Sequence, residues 1–304
     1  MLQKLVAFFT ALLAFFSGLF AFLRPKKPEQ TPVSGFSVSD VAYGSHARNV
    51  MDVAFPDDAD GVVGLVLMIH GGAWIYGSKE SAYGSMEAVT AQGYAAARIS
   101  YRYVSADTHM DALMDDVQAS LDKVAALAES HGFRVSGAML TGVSAGAHMS
   151  LLYGYTRAND AAIPVRAIVS YCGPTDLTDP TYIEHNALGD LNNMIALNDW
   201  CSGTTIFPDD YNAKNAAYDR WNASLREISP LYRATKDAPP TILAHGAQDT
   251  IVPYQTAVKL DARLTELGVK HDFVTYPNSG HGLEEADCAQ RVLALLLQYA
   301  KAYL

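Results

Sequence analysis

Short apolar runs alternate with helical segments over residues 62–173 and again from 241 to the carboxyl terminus, and this pattern constrains the fold most. The run VVGLVLMIH at 62–70 is apolar at almost every position, as expected of a strand that is buried on both faces. At 109–128 the apolar residues recur at steps of three and four, which predicts a helix with one buried face. Strands alternating with helices predict βαβ units, and therefore an α/β fold with a mostly parallel central sheet. The predicted strands are residues 36–44, 49–56, 62–70, 94–100, 134–142, 165–173, 241–246 and 271–276.

The alternation stops between residues 174 and 240. Loops of this length without structure are uncommon in compact domains unless they are functional. We therefore expect a small cap-like excursion over the carboxyl edge of the sheet, at about 180–229, whose aromatic residues supply an apolar pocket. The alternative is a packed helical insertion with no role in binding. The aromatic residues of this segment are Trp200, Phe207, Tyr211, Tyr218 and Trp221.

The first thirty residues differ from the rest of the chain. Residues 5–23 form an uncharged apolar stretch of about the length that spans a hydrocarbon core as a helix. A signal peptide usually has a shorter apolar region and a small-x-small cleavage site, and no such site is visible. We expect an uncleaved membrane anchor and linker at 1–30, followed by a catalytic domain at 31–304. A cleaved signal sequence is the alternative.

The charges around the apolar stretch indicate its orientation. Lys4 alone precedes it, whereas Arg24, Lys26 and Lys27 follow it. The positive-inside rule then places the main domain on the cytoplasmic side, with secretion as the alternative.

Charge and cysteine content exclude some partners. The net charge of −10 argues against nucleic acid, because phosphate binding needs a basic surface. Cys172, Cys201 and Cys288 cannot all pair, and no C-x-x-C spacing indicates zinc. H-E-x-x-H is absent as well, so the sequence implies neither a metal nor an organic cofactor.

The pentapeptide GVSAG at 142–146 matches G-x-S-x-G, with a predicted strand before it and a predicted helix after it. Its glycines allow the sharp turn that presents a nucleophilic serine, and the helix that follows contributes amide donors. We therefore expect Ser144 to be the nucleophile of a hydrolase. The alternative is an ordinary strand-to-helix turn.

A serine hydroxyl needs a base that removes its proton. Of nine histidines, His281 fits best, because it lies in the glycine-flanked loop PNSGHGL after the last predicted strand. His148 lies four residues past Ser144 on the departing helix, where capping or packing is expected. His245 lies within a strand and His70 ends one, which favours structural hydrogen bonding.

The base in turn needs an acid that fixes its tautomer. In HGAQDTIVP, Asp249 directly follows the strand TILAHG and precedes His281 in the chain. Asp176 and Asp179 are alternatives, although turn formation already explains both. The order Ser144, Asp249, His281 is the order known for α/β-hydrolases.

The strand at 62–70 is followed by Gly71 and Gly72, then by Trp74. Glycine weakens a buried strand and often marks a place where another group approaches the backbone. We expect such an approach here.

The main domain, about 36–304, resembles the α/β-hydrolase superfamily, and within it the branch with hormone-sensitive-lipase-like, feruloyl-esterase-like and kynurenine-formamidase-like members. Four blocks carry the resemblance, in the order IHGGAW, GVSAGAH, HGAQDTIVP and NSGHGL. It implies that the His-Gly-Gly turn supplies an oxyanion hole, with the N–H groups of Gly72, Ala73 and Ala145 as donors. One departure is Ala73-Trp74, where the fuller family pattern has a third glycine.

The resemblance implies a serine hydrolase that cleaves small-molecule carboxylic esters, with short or aryl groups, through an acyl-enzyme. An amidase of the formamidase type would use the same residues. A non-catalytic, membrane-tethered binding protein is the alternative from another functional class.

Overall fold

The predicted strands all form and make one eight-stranded sheet, in a computed structural model that describes residues 36–57 and 61–304. The strands are β1 (Ser37–Ala42), β2 (Val50–Ala54), β3 (Val62–Ile69), β4 (Ala95–Ile99), β5 (Arg134–Val143), β6 (Val165–Tyr171), β7 (Thr241–Gly246) and β8 (His271–Tyr276). The sheet order is β1-β2-β4-β3-β5-β6-β7-β8; β1 and β2 are antiparallel to their neighbours, and all other pairs are parallel. The predicted fold class is confirmed.

The continuous apolar run of β3 is explained by burial on both faces. Leu65, Leu67 and Ile69 pack into the core on one face, and Val66 and Met68 pack on the other. Successive side chains of a strand point to opposite faces, so only an unbroken apolar run suits this central position.

Helices cover both faces of the sheet. They are α1 (Met86–Thr90), α2 (Met110–Ser130), α3 (Ala145–Thr156), α9 (Tyr254–Leu267) and α10 (Ala286–Tyr303), and five further helices lie between β6 and β7. One face carries α2, α3 and α9, and the other carries α1 and α10. The sequence predicts one helix near 80–91, but the structure has a 3₁₀ turn (Lys79–Ser81) and then α1, because Gly84 at φ +121° interrupts the helix and Ser85 caps a new one.

The segment between β6 and β7 is helical. Its helices are α4 (Pro180–Glu184), α5 (Leu191–Ser202), α6 (Pro208–Ala213), α7 (Ala216–Glu227) and α8 (Pro230–Arg233). Asp179, Asp190 and Asn215 each cap a helix by accepting backbone N–H bonds, so the polar residues that obscured a pattern in the sequence mark helix starts. We call residues 180–229 the helical insertion.

Three aromatic residues of the helical insertion pack on one another. Trp221 is fully buried, and the Tyr211 and Tyr218 rings lie 5.7 and 6.3 Å from it. The Trp221 Nε1–H donates to Asp199 Oδ1 at 2.7 Å. Tyr211 and Trp221 belong to the same hydrophobic core as the residues that cover one face of the sheet, and Tyr218 packs against it.

The predicted membrane anchor at 5–23 and its linker lie outside the described residues. Within 36–57 and 61–304, no helix is long and apolar enough to cross a membrane. Cys172, Cys201 and Cys288 are all free thiols.

Candidate active site

Ser144 lies on a strained turn between β5 and α3. Its backbone has φ 54° and ψ −120°, an unusual conformation for a residue with a side chain. The turn needs both flanking glycines. A Cβ at Gly142 would lie 2.3 Å from the carbonyl carbon of Gly146, and one at Gly146 would lie 2.1 Å from the Ile69 carbonyl oxygen. The predicted strand–turn–helix geometry around Ser144 is therefore present.

The turn after β3 also has left-handed backbone. Gly72, Ala73 and Trp74 have φ of 116°, 48° and 60°. A Cβ at Gly72 would lie 2.1 Å from the Tyr76 carbonyl oxygen, so only glycine fits there. The carbonyl of Gly72 accepts the N–H groups of Ile75 and Tyr76, which closes the turn.

Side chains from two other segments hold this turn in place. The Gly77 carbonyl accepts from Arg48 Nη2 at 2.7 Å and from the Tyr103 hydroxyl at 2.6 Å. The His70 ring stacks on Tyr101 with centroids 4.1 Å apart and donates from Nδ1 to the Gly71 carbonyl at 2.6 Å. Burial lowers the pKa of His70 to about 3, so it stays neutral and structural, as the sequence indicates.

The loops after β7 and β8 bring Asp249 and His281 together. His281 Nδ1 donates to Asp249 Oδ2 at 2.7 Å, and both residues are buried. Asp249 Oδ1 accepts the N–H groups of Ile251 and Val252, each at 2.9 Å. Burial alone would raise the pKa of Asp249, but His281 and His245 hold it well below its usual value. Asp249 is therefore an anion with its acceptors occupied.

The His281 loop is fixed by close packing and by one carboxylate. A Cβ at Gly246, the end of β7, would lie 2.1 Å from the Gly280 carbonyl oxygen, so this glycine lets the two loops touch. Glu285 accepts from the Asn278 backbone and side chain and from the Ser279 hydroxyl. Within the described residues, the buried Nε2 of His281 has no hydrogen-bond partner.

A small cavity adjoins Ser144. The volume open to the centre of a water molecule is about 10 Å³, which is room for about one water. Ala73 and Ala145, two of the three predicted oxyanion donors, line it with Ser144, whereas the third, Gly72, lies in the same turn but outside the lining. The other lining residues are Trp74, Pro174, Tyr182, Leu188, Ile251 and Val252.

The cavity corrects part of the sequence interpretation. The helical insertion does reach the site, through Tyr182 and Leu188. The five aromatic residues singled out by the sequence, however, are not among the lining residues, and three of them pack on one another instead. The residues that face the cavity are set by tertiary packing and carry no local signal.

The alternative bases and acids have other partners. His148 is buried on α3, and its Nε2 donates to the Ile228 carbonyl at 2.7 Å. Asp176 and Asp179 pair with Lys259 at 3.2 and 2.6 Å. Asp176 and Asp179 also accept the backbone N–H groups of Thr178 and Thr181, which are turn contacts of the kind that the sequence predicted.

Sequence reasoning missed one contact of Asp249. His245, expected to make structural hydrogen bonds within a strand, places Nε2 only 3.3 Å from Asp249 Oδ2. The Cys172 sulfur, a ring nitrogen of His245 and a carboxylate oxygen of Asp249 lie within 4.8 Å of one another. The four-residue spacing from His245 to Asp249 in HGAQD is compatible with the contact, but the contact itself depends on how the loop after β7 folds back.

Comparisons with known proteins identify the family of the chain. The BD-FAE family model matches residues 51–264. Esterase LipC of Mycobacterium tuberculosis (strain ATCC 25618 / H37Rv) is 27% identical over 263 residues, which cover 82% of this chain and 60% of that protein. The chain thus spans less than two thirds of the length of that relative.

Two solved structures share the fold. A truncated form of carbohydrate esterase from gut microbiota has a TM-score of 0.69 at 21% identity, covering 90% of this chain and 100% of the other. Esterase B from Lactobacillus rhamnosis has a TM-score of 0.72 at 18% identity, covering 99% and 96%. The predicted α/β-hydrolase fold is confirmed.

Proposed function

The chain belongs to the BD-FAE family, and from this membership and the geometry around Ser144 we propose that it hydrolyses carboxylic esters through an acyl-enzyme. The observation that carries the proposal is the 2.7 Å hydrogen bond from His281 to buried Asp249, in loops that follow parallel strands at the same edge of the sheet as the strained Ser144 turn.

In this proposal Ser144 attacks the ester carbonyl while His281 Nε2 takes its proton and returns it to the leaving alcohol. Asp249 fixes the tautomer of His281, because its bond to Nδ1 leaves Nε2 free to accept. Water then attacks the acyl-enzyme with His281 again acting as the base.

The oxyanion donors in this proposal are the N–H groups of Gly72, Ala73 and Ala145. Support comes from the left-handed turn at Gly72 and Ala73, and from the position of Ala145 at the start of α3, where N–H groups have no partner within the helix. Preset amides stabilise the tetrahedral oxyanion without reorganisation.

We propose small acyl groups as substrates. The cavity beside Ser144 is small, and Tyr182 and Leu188 in its lining would contact long acyl chains. The same residues could cleave amides, including formamides, since the fold and triad do not set the leaving group. A non-catalytic binding protein is the alternative of another class.

The experiment that tests this function uses p-nitrophenyl esters from acetate to decanoate beside an N-formyl arylamine. We expect kcat/KM to be highest for acetate and to fall with chain length. Turnover of the formamide alone would assign an amidase. Folded protein that turns over neither substrate would contradict catalysis and favour the binding protein.

Membrane attachment through residues 5–23 is a separate proposal that rests on the sequence. We expect the full chain to sediment with membranes after a carbonate wash and a chain that begins at residue 31 to stay in the supernatant. A full chain that behaves like the shortened one would contradict an uncleaved anchor and favour the signal sequence. Protease protection of the domain in sealed vesicles would decide which side it faces.

A further inference from the structure

His245 lies beneath the acid of the proposed triad. It sits near the end of β7, is 2% exposed, and packs edge-on against Tyr254 with ring centroids 6.0 Å apart. Its Nε2 is 2.8 Å from the Val252 carbonyl, and since a carbonyl can only accept, Nε2 carries the proton. That N–H also lies 3.3 Å from Asp249 Oδ2.

The same carboxylate oxygen therefore serves two imidazoles. Asp249 Oδ2 accepts from His281 Nδ1 at 2.7 Å and lies within reach of the His245 N–H. Asp249 Oδ1 is bound by two backbone N–H groups, so the carboxylate cannot rotate freely. The titratable groups that face Asp249 are His245 on β7, His281 after β8, and the buried Cys172 thiol after β6.

We propose that His245 is a positioning residue for the proposed ester hydrolysis. It fixes the Asp249 carboxylate through a shared hydrogen bond and withdraws part of its negative charge from His281. The inference rests on the proposed function, because it gives Asp249 and His281 their catalytic roles. His245 touches no reacting atom and acts through Asp249.

Removal of the His245 N–H should make protonation of His281 more favourable. Without the His245 N–H, Asp249 Oδ2 has one competing donor fewer and offers more charge to His281. The protonated form of His281 is then favoured, and it cannot act as a base. The acid limb of the kcat/KM–pH profile should move to higher pH, by about half to one pH unit. The looser carboxylate should also lower the plateau kcat by about tenfold with KM little changed.

The test compares His245→Phe, which keeps a ring but loses the N–H, with His245→Gln, whose terminal amide keeps a donor near the Nε2 position. We expect the acid-limb shift in His245→Phe and its reversal in His245→Gln. Thr241→Val is the matched control, because it removes buried hydrogen bonds to Pro239 and Tyr155 at the other end of β7. It should leave the acid limb where it is.

A second readout does not depend on turnover. The His281 Nδ1 proton should give a downfield proton NMR signal that is absent in His281→Ala and moves further downfield in His245→Phe. If the wild type hydrolyses no ester, the proposed function fails, while this signal still tests the coupling of His245 to Asp249. If His245→Phe does not fold, His245→Asn should show the same shifts, since its amide is too short to reach Asp249.

The proposal is overturned if His245→Phe loses activity and thermal stability while the acid limb and the downfield signal both stay in place. His245 would then contribute to the core only, as Thr241 does. It is also overturned if His245→Gln behaves like His245→Phe in both readouts, since the retained donor would then have no effect.

Discussion

The carboxyl edge of the sheet and the helical insertion each enclose an aspartate, with opposite consequences for its charge. At the edge, burial opposes the charged form of Asp249, yet His281 and His245 hold its pKa well below the usual value. In the insertion, burial raises the pKa of Asp199 to about 7, although the Trp221 indole and the Ile206 backbone donate to it.

The difference follows from the number and kind of hydrogen-bond donors around each carboxylate. Asp199 has an indole N–H and a backbone N–H, and its pKa stays raised, whereas Asp249 has two imidazoles and two backbone N–H groups, and its pKa is lowered. The edge of the sheet is thus arranged for charge, and the insertion is arranged for packing. Changes in the first region should affect turnover, and changes in the second should affect stability.

The largest effect is expected from Asp249→Asn. The amide keeps the shape but cannot stabilise the imidazolium of His281, so kcat should fall about 10⁴-fold, by analogy with the same substitution in serine protease triads. Steady-state kinetics on p-nitrophenyl acetate measures this, with circular dichroism as the check that the fold is retained. Near-normal turnover would transfer the acid role to Asp176 or Asp179.

Gly72→Ala tests the backbone of the same region. The added Cβ would lie 2.1 Å from the Tyr76 carbonyl oxygen in a turn with φ +116°, so the turn must open and displace the donors that follow. We expect kcat to fall about 10²–10³-fold, the typical cost of one lost oxyanion donor. Gly93→Ala, at φ +82° with open space around it, is the control for backbone strain alone. Equal losses of activity in the two variants would argue against an oxyanion role.

Tyr182→Ala acts where the two regions meet, because Tyr182 belongs to α4 and lines the Ser144 cavity. Its removal should make room for longer acyl chains and raise the butyrate-to-acetate ratio of kcat/KM about tenfold. Tyr211→Ala removes a buried tyrosine of the insertion that does not line the cavity. If the Tyr211 variant changes the ratio as much, the cavity does not set acyl preference.

The smallest effect on turnover is expected from Asp199→Asn, which should change stability instead. The folded-state pKa of Asp199, about 7, lies above the unfolded value near 4, so the wild type loses stability as pH rises from about 4 to 7. The neutral variant lacks this loss. In thermal melts, the Tm of Asp199→Asn minus that of the wild type should increase between pH 4 and pH 7 and stay constant above about pH 7. A difference that is constant with pH would mean that Asp199 is charged in the fold.

Much of this architecture follows from local sequence pattern. The eight strands were predictable, because central strands read as unbroken apolar runs and edges as alternation. The Ser144 turn was predictable too, because Gly142 and Gly146 are required by contacts within a few residues and to the adjacent strand. The pairing of Asp249 with His281 depended on chain order and on the resemblance, since 32 residues separate them.

What the sequence could not provide depends on tertiary packing. His245 has the pattern of an ordinary strand residue, and its reach to Asp249 depends on how the loop after β7 folds back. The aromatic residues of the helical insertion suggested a pocket, yet Trp221 is buried in the insertion itself and Tyr182 lines the cavity instead. Composition alone cannot distinguish a ring in the core from one in a binding site.

The measurement that tests the central claim most directly is labelling with a fluorophosphonate probe, followed by peptide mass spectrometry. We predict one adduct, on the peptide that carries Ser144, and its loss in Ser144→Ala and in His281→Ala with the fold retained. An adduct on another serine, or folded wild-type protein that takes up no probe, would contradict the assignment of Ser144 as the nucleophile.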